Sequence, residues 1–285
     1  MSEIKIIECP RDAMQGLHDF IPTEIKVKYI NSLINCGFDT IDFGSFVSPQ
    51  AIPQLKDTAE VLKKLELEKS TKLLAIIANE RGAVDACKFE EINYLGFPFS
   101  VSESFQQRNT NSSIAESLKR VEAIRELALK SNKEMVLYLS MGFGNPYGDE
   151  WNSDIVINWC ELLYSKFEIK IQALSDTIGI ATPATIDYLF KALIPSLPHV
   201  EFGAHLHTTP ENAISIVESA YNAGCRRFDG AIKGFGGCPM ASNELTGNMP
   251  TEIMLNWFAK KDISTGIDAE SFDTSLQLAL SIFPS

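Results

Sequence analysis

The chain has little of several things that mark functional classes. Only four histidines occur, and the six cysteines, at positions 9, 36, 87, 160, 225 and 238, include no C-x-x-C pair. That excludes a zinc ribbon and a thioredoxin-like redox motif. Cys36, Cys87 and Cys160 lie inside apolar patterns and read as small core residues of a reducing compartment. Cys9 and Cys225 have no special context and read as structural. Apolar runs are short: none approaches the ~20 residues needed to cross a bilayer. Glu3 and Lys5 open the chain where a secretory signal would carry its apolar stretch. The expectation is a soluble, cytoplasmic protein with no membrane partner. Positive charge is also scarce: 25 Lys and Arg stand against 37 Asp and Glu, a net charge of −12. Such a field repels a phosphate backbone, so nucleic acid is excluded as a partner. An anionic small substrate is not, because local cations or a bound metal override the mean field. Linkers and low-complexity tracts are missing too, and the 285 residues read as one domain spanning 1–285.

What is present is an alternation of short apolar runs with helical patterns. The runs are Ile4–Ile7, Thr40–Phe43, Leu73–Ile77, Ile92–Phe97, Met135–Leu139, Ile169–Leu174, Val200–His205 and Arg227–Ile232. Helices of apolar 3.6-residue period separate them, such as the one from Thr23, a plausible N-cap, to a stop at Gly37. Another opens at Thr182-Pro183, with proline at the first helical position. Strands alternating with helices pair in parallel through right-handed crossovers. Eight such units close into an α/β (β/α)8 barrel, the TIM barrel. The open doubly wound sheet is the rival, but no G-x-G-x-x-G follows the first run. The segment from Asp268 reads as an additional C-terminal helix.

In such a barrel the chemistry sits at the C-terminal ends of the strands. The residues there are unusually polar: Arg11 and Asp12 after the first run, Asp42, Ser45 and Ser48 at the second, and Asp176 and Thr177 after the sixth. The seventh ends in His205-Leu206-His207, and the eighth leads to a Gly-rich loop with Cys238, followed by Asn248. In a strand, residues two apart share a face, with Cβ atoms about 6.5–7 Å apart. Two imidazoles so placed can converge on one metal, or be two surface histidines. Asp12 strengthens the metal reading, because strands one and seven of a closed barrel are separated only by strand eight. A carboxylate with two imidazoles suits an octahedral divalent cation that keeps positions open for substrate. Arg11 could be a rim ion pair or a fixed cation aimed at developing negative charge. Cys238 could be inert or a proton donor carried by a mobile loop, and that loop could instead bind phosphate. Asp42 and Asp176 could be helix N-caps; Asp176 could also hold a metal-bound water or orient Arg11.

These motifs resemble the 3-hydroxy-3-methylglutaryl-CoA lyase family of metal-dependent, Claisen-type TIM barrels. The likeness runs from Ile4 to about Gly266. It is carried by Pro10-Arg11-Asp12, Ser45-Phe46-Val47-Ser48-Pro49 with Gln54, Ser102-Glu103 with Asn109 and Asn111, and Asn145-Pro146-Tyr147. Asp176-Thr177-Ile178-Gly179, His205-x-His207, Gly234-x-Gly236-Gly237-Cys238-Pro239 and Gly247-Asn248 complete it. The resemblance implies that Asp12, His205, His207 and Asn248 bind Mg²⁺ or Mn²⁺; Zn²⁺ can share such a set. It implies that Arg11 stabilises an enolate oxygen, that Cys238 protonates the enolate, and that Asp176 supports the metal and Arg11. The implied reaction is metal-dependent retro-Claisen cleavage of 3-hydroxy-3-methylglutaryl-CoA, or a close 3-hydroxy-acyl-CoA, to acetoacetate and acetyl-CoA. His205 is the candidate base. Gln15, Asp42, Ser45, Ser48, Ser102, Glu103 and Thr177 are expected around the substrate. A homodimer is implied by resemblance only. The chain departs from the family at Gly16 and Leu17, where Asn and Glu are usual, at Asp42 in place of Glu, and at Thr208 in place of Asp. The alternatives are a related barrel running acetyl-CoA condensation or aldol chemistry, and a metal-binding relative without turnover.

Overall fold

The computed structural model describes residues 3–67, 70–237 and 246–283. Eight parallel strands are β1 (Lys5–Glu8), β2 (Thr40–Ser45), β3 (Lys72–Ile76), β4 (Ile92–Ser100), β5 (Glu134–Ser140), β6 (Ile171–Asp176), β7 (Glu201–Thr208) and β8 (Arg227–Gly230). Each pairs with its sequence neighbour, and β1 with β8 closes the ring. This is the expected (β/α)8 barrel, with an added helix at the C-terminus (Ala269–Ile282) capped by Asp268.

The pleat sorts the side chains into two environments. In β5, Met135, Leu137 and Leu139 join the core between sheet and helices, while Val136 and Tyr138 turn into the bore. Leu74, Ile76, Ile171 and Ala173 fill the same bore. In β7, Phe202, Ala204 and Leu206 belong to the outer core, so His205 and His207 face the bore. In β8, Phe228 packs outward, leaving Arg227 and Asp229 on the bore side. Burial on both faces explains why most strands read as continuous apolar runs rather than alternating ones.

The helix ends follow local chemistry. The helix Thr23–Cys36 stops at Gly37, which takes φ +86°; a side chain there would be strained. Its N-cap is Pro22, and the Thr23 hydroxyl instead donates to Asp57. Thr182 caps the helix Pro183–Ser196 as its sequence suggests. Cys36 and Cys160 are buried core residues, and Cys87 is half-buried. Among the short elements that escape the periodic reading are helix Pro10–Gln15, helix Glu103–Thr110, and a two-residue strand, β9 (Gly247–Asn248). They are too short to show a period, and β9 exists only because it pairs antiparallel with β7, placing Asn248 opposite His207. Among the described residues, no helix is long and apolar enough to cross a membrane.

Candidate active site

The C-terminal mouth of the barrel opens into a cleft of 360 Å³ whose lining includes Arg11, Asp12, Gln15, Tyr138, His205 and His207. The chain turns at Pro10 into the short helix immediately after β1, which holds Arg11 and Asp12 at the rim. Ligand atoms of Asp12, His205 and His207 lie within 4.8 Å of one another. His207 Nδ1 is buried without a hydrogen-bond partner. A carboxylate and two imidazoles convergent at this spacing, one with an unpartnered nitrogen, fit a divalent cation.

The charges are arranged around this group. Arg11 is buried and donates through Nε to both oxygens of Asp42, 3.2 and 3.0 Å away, and through Nη2 to Oδ2. Its Nη1 reaches Asp12 Oδ1 and Gln15 Oε1, each at 2.9 Å. Burial works to raise the Asp12 pKa, but the charges of Arg11, His205 and His207 and a hydrogen bond from Asn248 hold it below the usual carboxylate value. Burial and the neighbouring His205 push His207 down to about 4, so its ring is neutral near pH 7. Burial would lower His205 as well, but the hydrogen bond and charge of Asp229, with Asp12, outweigh it and raise the value.

Other residues differ from expectation. Asp42 is no helix cap: it lies within β2, fully buried, as the ion-pair partner of Arg11. Asp176 does not orient Arg11; its oxygens accept the N–H groups of Ile180 and Ala181 at 3.0 and 2.8 Å, the turn-capping alternative. Asn248 reaches Asp12 as a donor: Nδ2 gives hydrogen bonds to Asp12 Oδ2 and to the Phe235 carbonyl, both 2.9 Å. Its amide nitrogen, not its oxygen, therefore faces the carboxylate. Thr177 Oγ1 accepts the Met141 N–H and ties two loops together. Ser45 and Ser48 stabilise their own turn by accepting the N–H groups of Val47 and Gln50. Ser102 caps the helix Glu103–Thr110 and donates to Asp149, while Glu103 accepts the Ile114 N–H. These last four roles organise loops rather than line the cleft.

Cys238 lies outside the described residues. The root of its loop is tightly placed. A Cβ on Gly236, at φ +85°, would stand 2.5 Å from the Asp12 carbonyl oxygen, so only glycine brings the chain this close to the Asp12 main chain. Glu8 ties both flanks of the segment, accepting from Ile232 N–H at 2.8 Å and Thr251 Oγ1 at 2.6 Å.

Asp229 and Tyr138 were not singled out from sequence. Asp229 Oδ2 lies 3.1 Å from His205 Nδ1, and Cys9, read as merely structural, forms a second convergent group with His205 and Asp229. Tyr138 packs edge-on against His205, ring centroids 5.3 Å apart. The available signal was alternation: Arg227-Phe228-Asp229 puts two charged residues on the face of a strand opposite its core-packed phenylalanine.

A closed parallel barrel with a carboxylate–imidazole group and a buried arginine at its C-terminal mouth defines a TIM-barrel enzyme of the metal-assisted type. The HMGL-like family model matches residues 3–278. Hydroxymethylglutaryl-CoA lyase of Bacillus subtilis is 35% identical over 261 residues, covering 92% of this chain and 86% of the relative. The mitochondrial hydroxymethylglutaryl-CoA lyase of Bos taurus is 32% identical over 271 residues, covering 94% and 82%. Among solved structures, the Bacillus subtilis HMG-CoA lyase superposes with a TM-score of 0.92 at 33% identity, over 99% of this chain and 96% of that one. An HMG-CoA lyase from Acinetobacter baumannii, in complex with coenzyme A and 3-methylmalate, gives 0.90 at 30% identity, over 98% and 91%. The chain belongs to the HMGL-like family, and it is a carbon–carbon lyase.

Proposed function

We propose that the chain cleaves 3-hydroxy-3-methylglutaryl-CoA to acetoacetate and acetyl-CoA, with Mg²⁺ or Mn²⁺ held by Asp12, His205 and His207. The observation that carries this reading is the convergence of those three side chains within 4.8 Å at a cleft shared with the Arg11 guanidinium. Asp12, His205 and His207 would hold the cation, which would supply Lewis-acid polarisation and lower the pKa of a substrate hydroxyl. Asp12 is kept ionised by Arg11, and His207 is kept neutral by burial, the protonation states a cation needs in its ligands. One imidazole nitrogen cannot both bind a cation and take a proton. With Nδ1 on Asp229, we assign His205 to the ligand role rather than to that of base.

When the carbon–carbon bond breaks, negative charge gathers on the thioester oxygen. Arg11, already fixed by Asp42, Asp12 and Gln15, meets it without having to reorganise, which is what makes such a cation effective. Asn248 braces Asp12. Cys238, two residues beyond the Gly236 contact with Asp12, is assigned the proton delivered to the departing enolate carbon, by its match to the family motif. The acyl-CoA class follows the Acinetobacter relative, whose structure holds coenzyme A. The test is a steady-state assay of purified protein with the substrate and Mg²⁺ or Mn²⁺, detecting acetoacetate. Metal-dependent product, abolished in Arg11→Ala, is expected. No product from folded, metal-loaded protein would refute the substrate.

A further inference from the structure

We propose that Asp229 is a positioning residue for His205: its carboxylate accepts the Nδ1–H, fixes that tautomer, and turns Nε2 toward the space shared with Asp12 and His207. The metal part of this proposal rests on the function proposed above; the tautomer part does not.

The geometry has three components. Asp229 Oδ2 is 3.1 Å from His205 Nδ1, and both residues face the bore from adjacent strands β7 and β8. Tyr138 packs edge-on on the His205 ring, with centroids 5.3 Å apart, and restricts its rotation. The His205 and His207 rings are 5.6 Å apart, so a rotation of the first would disperse the group.

An ion pair with Arg227 is the competing explanation for a carboxylate in the barrel. Arg227 stands two residues earlier on the same face, but it pairs with Glu201 at 3.2 Å. Its Nε and Nη2 have no partner, and neither does Asp229 Oδ1. The two buried charges attract one another but do not join in a hydrogen bond, so Arg227 does not take the carboxylate away from His205. A carboxylate with one unsatisfied oxygen in the interior is unfavourable on its own. The charge of Arg227 offsets it in part, and the other oxygen is committed to His205. A ligand histidine whose second nitrogen donates to a carboxylate is the general way proteins set ring orientation and basicity.

Two measurements test this. The first is titration of Mn²⁺ into metal-free wild type, Asp229→Asn and Asp229→Ala, following the free-ion signal by electron paramagnetic resonance. Asp229→Ala should bind Mn²⁺ about 10–100-fold more weakly, the usual effect of losing such a support. Asp229→Asn should lose less, because its amide oxygen still accepts the hydrogen bond. The second is the ¹⁵N chemical shifts of the His205 ring in metal-free protein at a pH where the ring is neutral. Wild type should carry the proton on Nδ1, and Asp229→Ala should not keep that preference. Wild-type Mn²⁺ affinity in both variants would overturn the proposal, as would a wild-type His205 protonated on Nε2. If wild type binds no Mn²⁺, the metal reading falls, and the ring shifts still decide whether Asp229 sets the tautomer. If Asp229→Ala fails to fold, Asp229→Asn and the wild-type shifts carry the test.

Discussion

Arg11 is asked to do two jobs, and one pair of variants separates them. Arg11→Met removes the guanidinium but keeps much of the volume. It leaves Asp42, fully buried in β2, without its bidentate partner. Breaking a buried pair from one side costs about 3–5 kcal/mol. For a chain of this size each kcal/mol lowers the melting temperature by about 2–4 °C, so a drop of roughly 10 °C is expected near pH 8. The drop should shrink toward pH 5. Burial already pushes the Asp42 pKa up to about 6 against the pull of Arg11. Without Arg11 it rises further, and a carboxyl raised in the folded state is best tolerated where it is protonated. Adding Asp42→Leu to Arg11→Met removes the stranded charge and should restore much of the stability. Turnover should not return: losing a preorganised charge at the transition state costs about 10²–10³ in kcat. Calorimetry at the two pH values and the acetoacetate assay read the two effects independently. Turnover restored in the double variant would refute the catalytic role of Arg11. A single variant as stable as wild type would refute the structural one.

Three further outcomes follow from the same contacts. His207→Ala should lose bound metal, measured by elemental analysis after gel filtration; stoichiometric metal in the variant would remove His207 from the ligand set. Cys238→Ser should fold and bind metal as wild type does but turn over far more slowly, and unchanged turnover would make Cys238 structural. Glu8→Gln tests the anchor of the glycine-rich segment by pH. Burial pushes Glu8 up to about 8 from 4.5, against hydrogen bonds from Thr251 and Ile232. Its contribution to stability is therefore full below pH 4.5 and is lost as pH rises to about 8. At about 1.4 kcal/mol per pKa unit, that slope amounts to a few kcal/mol. Glu8→Gln should flatten it and melt higher than wild type at pH 9; an unchanged pH profile would refute the linkage.

The order of strands and helices was legible in the sequence, because it depends on local periodicity. Apolar runs separated by 3.6-period segments specify strand and helix wherever they stand, and eight such units leave the closed barrel as the economical way to bury both faces of every strand. The Asp12, His205 and His207 group was legible for a related reason: strand ends are where a barrel puts its chemistry, and H-x-H keeps two side chains on one face. The partners of those residues depended on the tertiary structure alone. Asp42 reads as a cap from its neighbours, yet it pairs with Arg11 because β2 lies beside β1 and its pleat turns that carboxylate inward. Asp176 reads as metal support by resemblance, yet the turn at Ile180 and Ala181 lies nearer its oxygens. Asn248 meets Asp12 only because a two-residue strand adds to β7, and Asp229 meets His205 only because β8 pairs in parallel beside β7. Sequence determines which residues can share a face. Which faces meet is a property of the closed sheet, since hydrogen bonds and ion pairs fall off within a few ångströms and join residues more than two hundred positions apart.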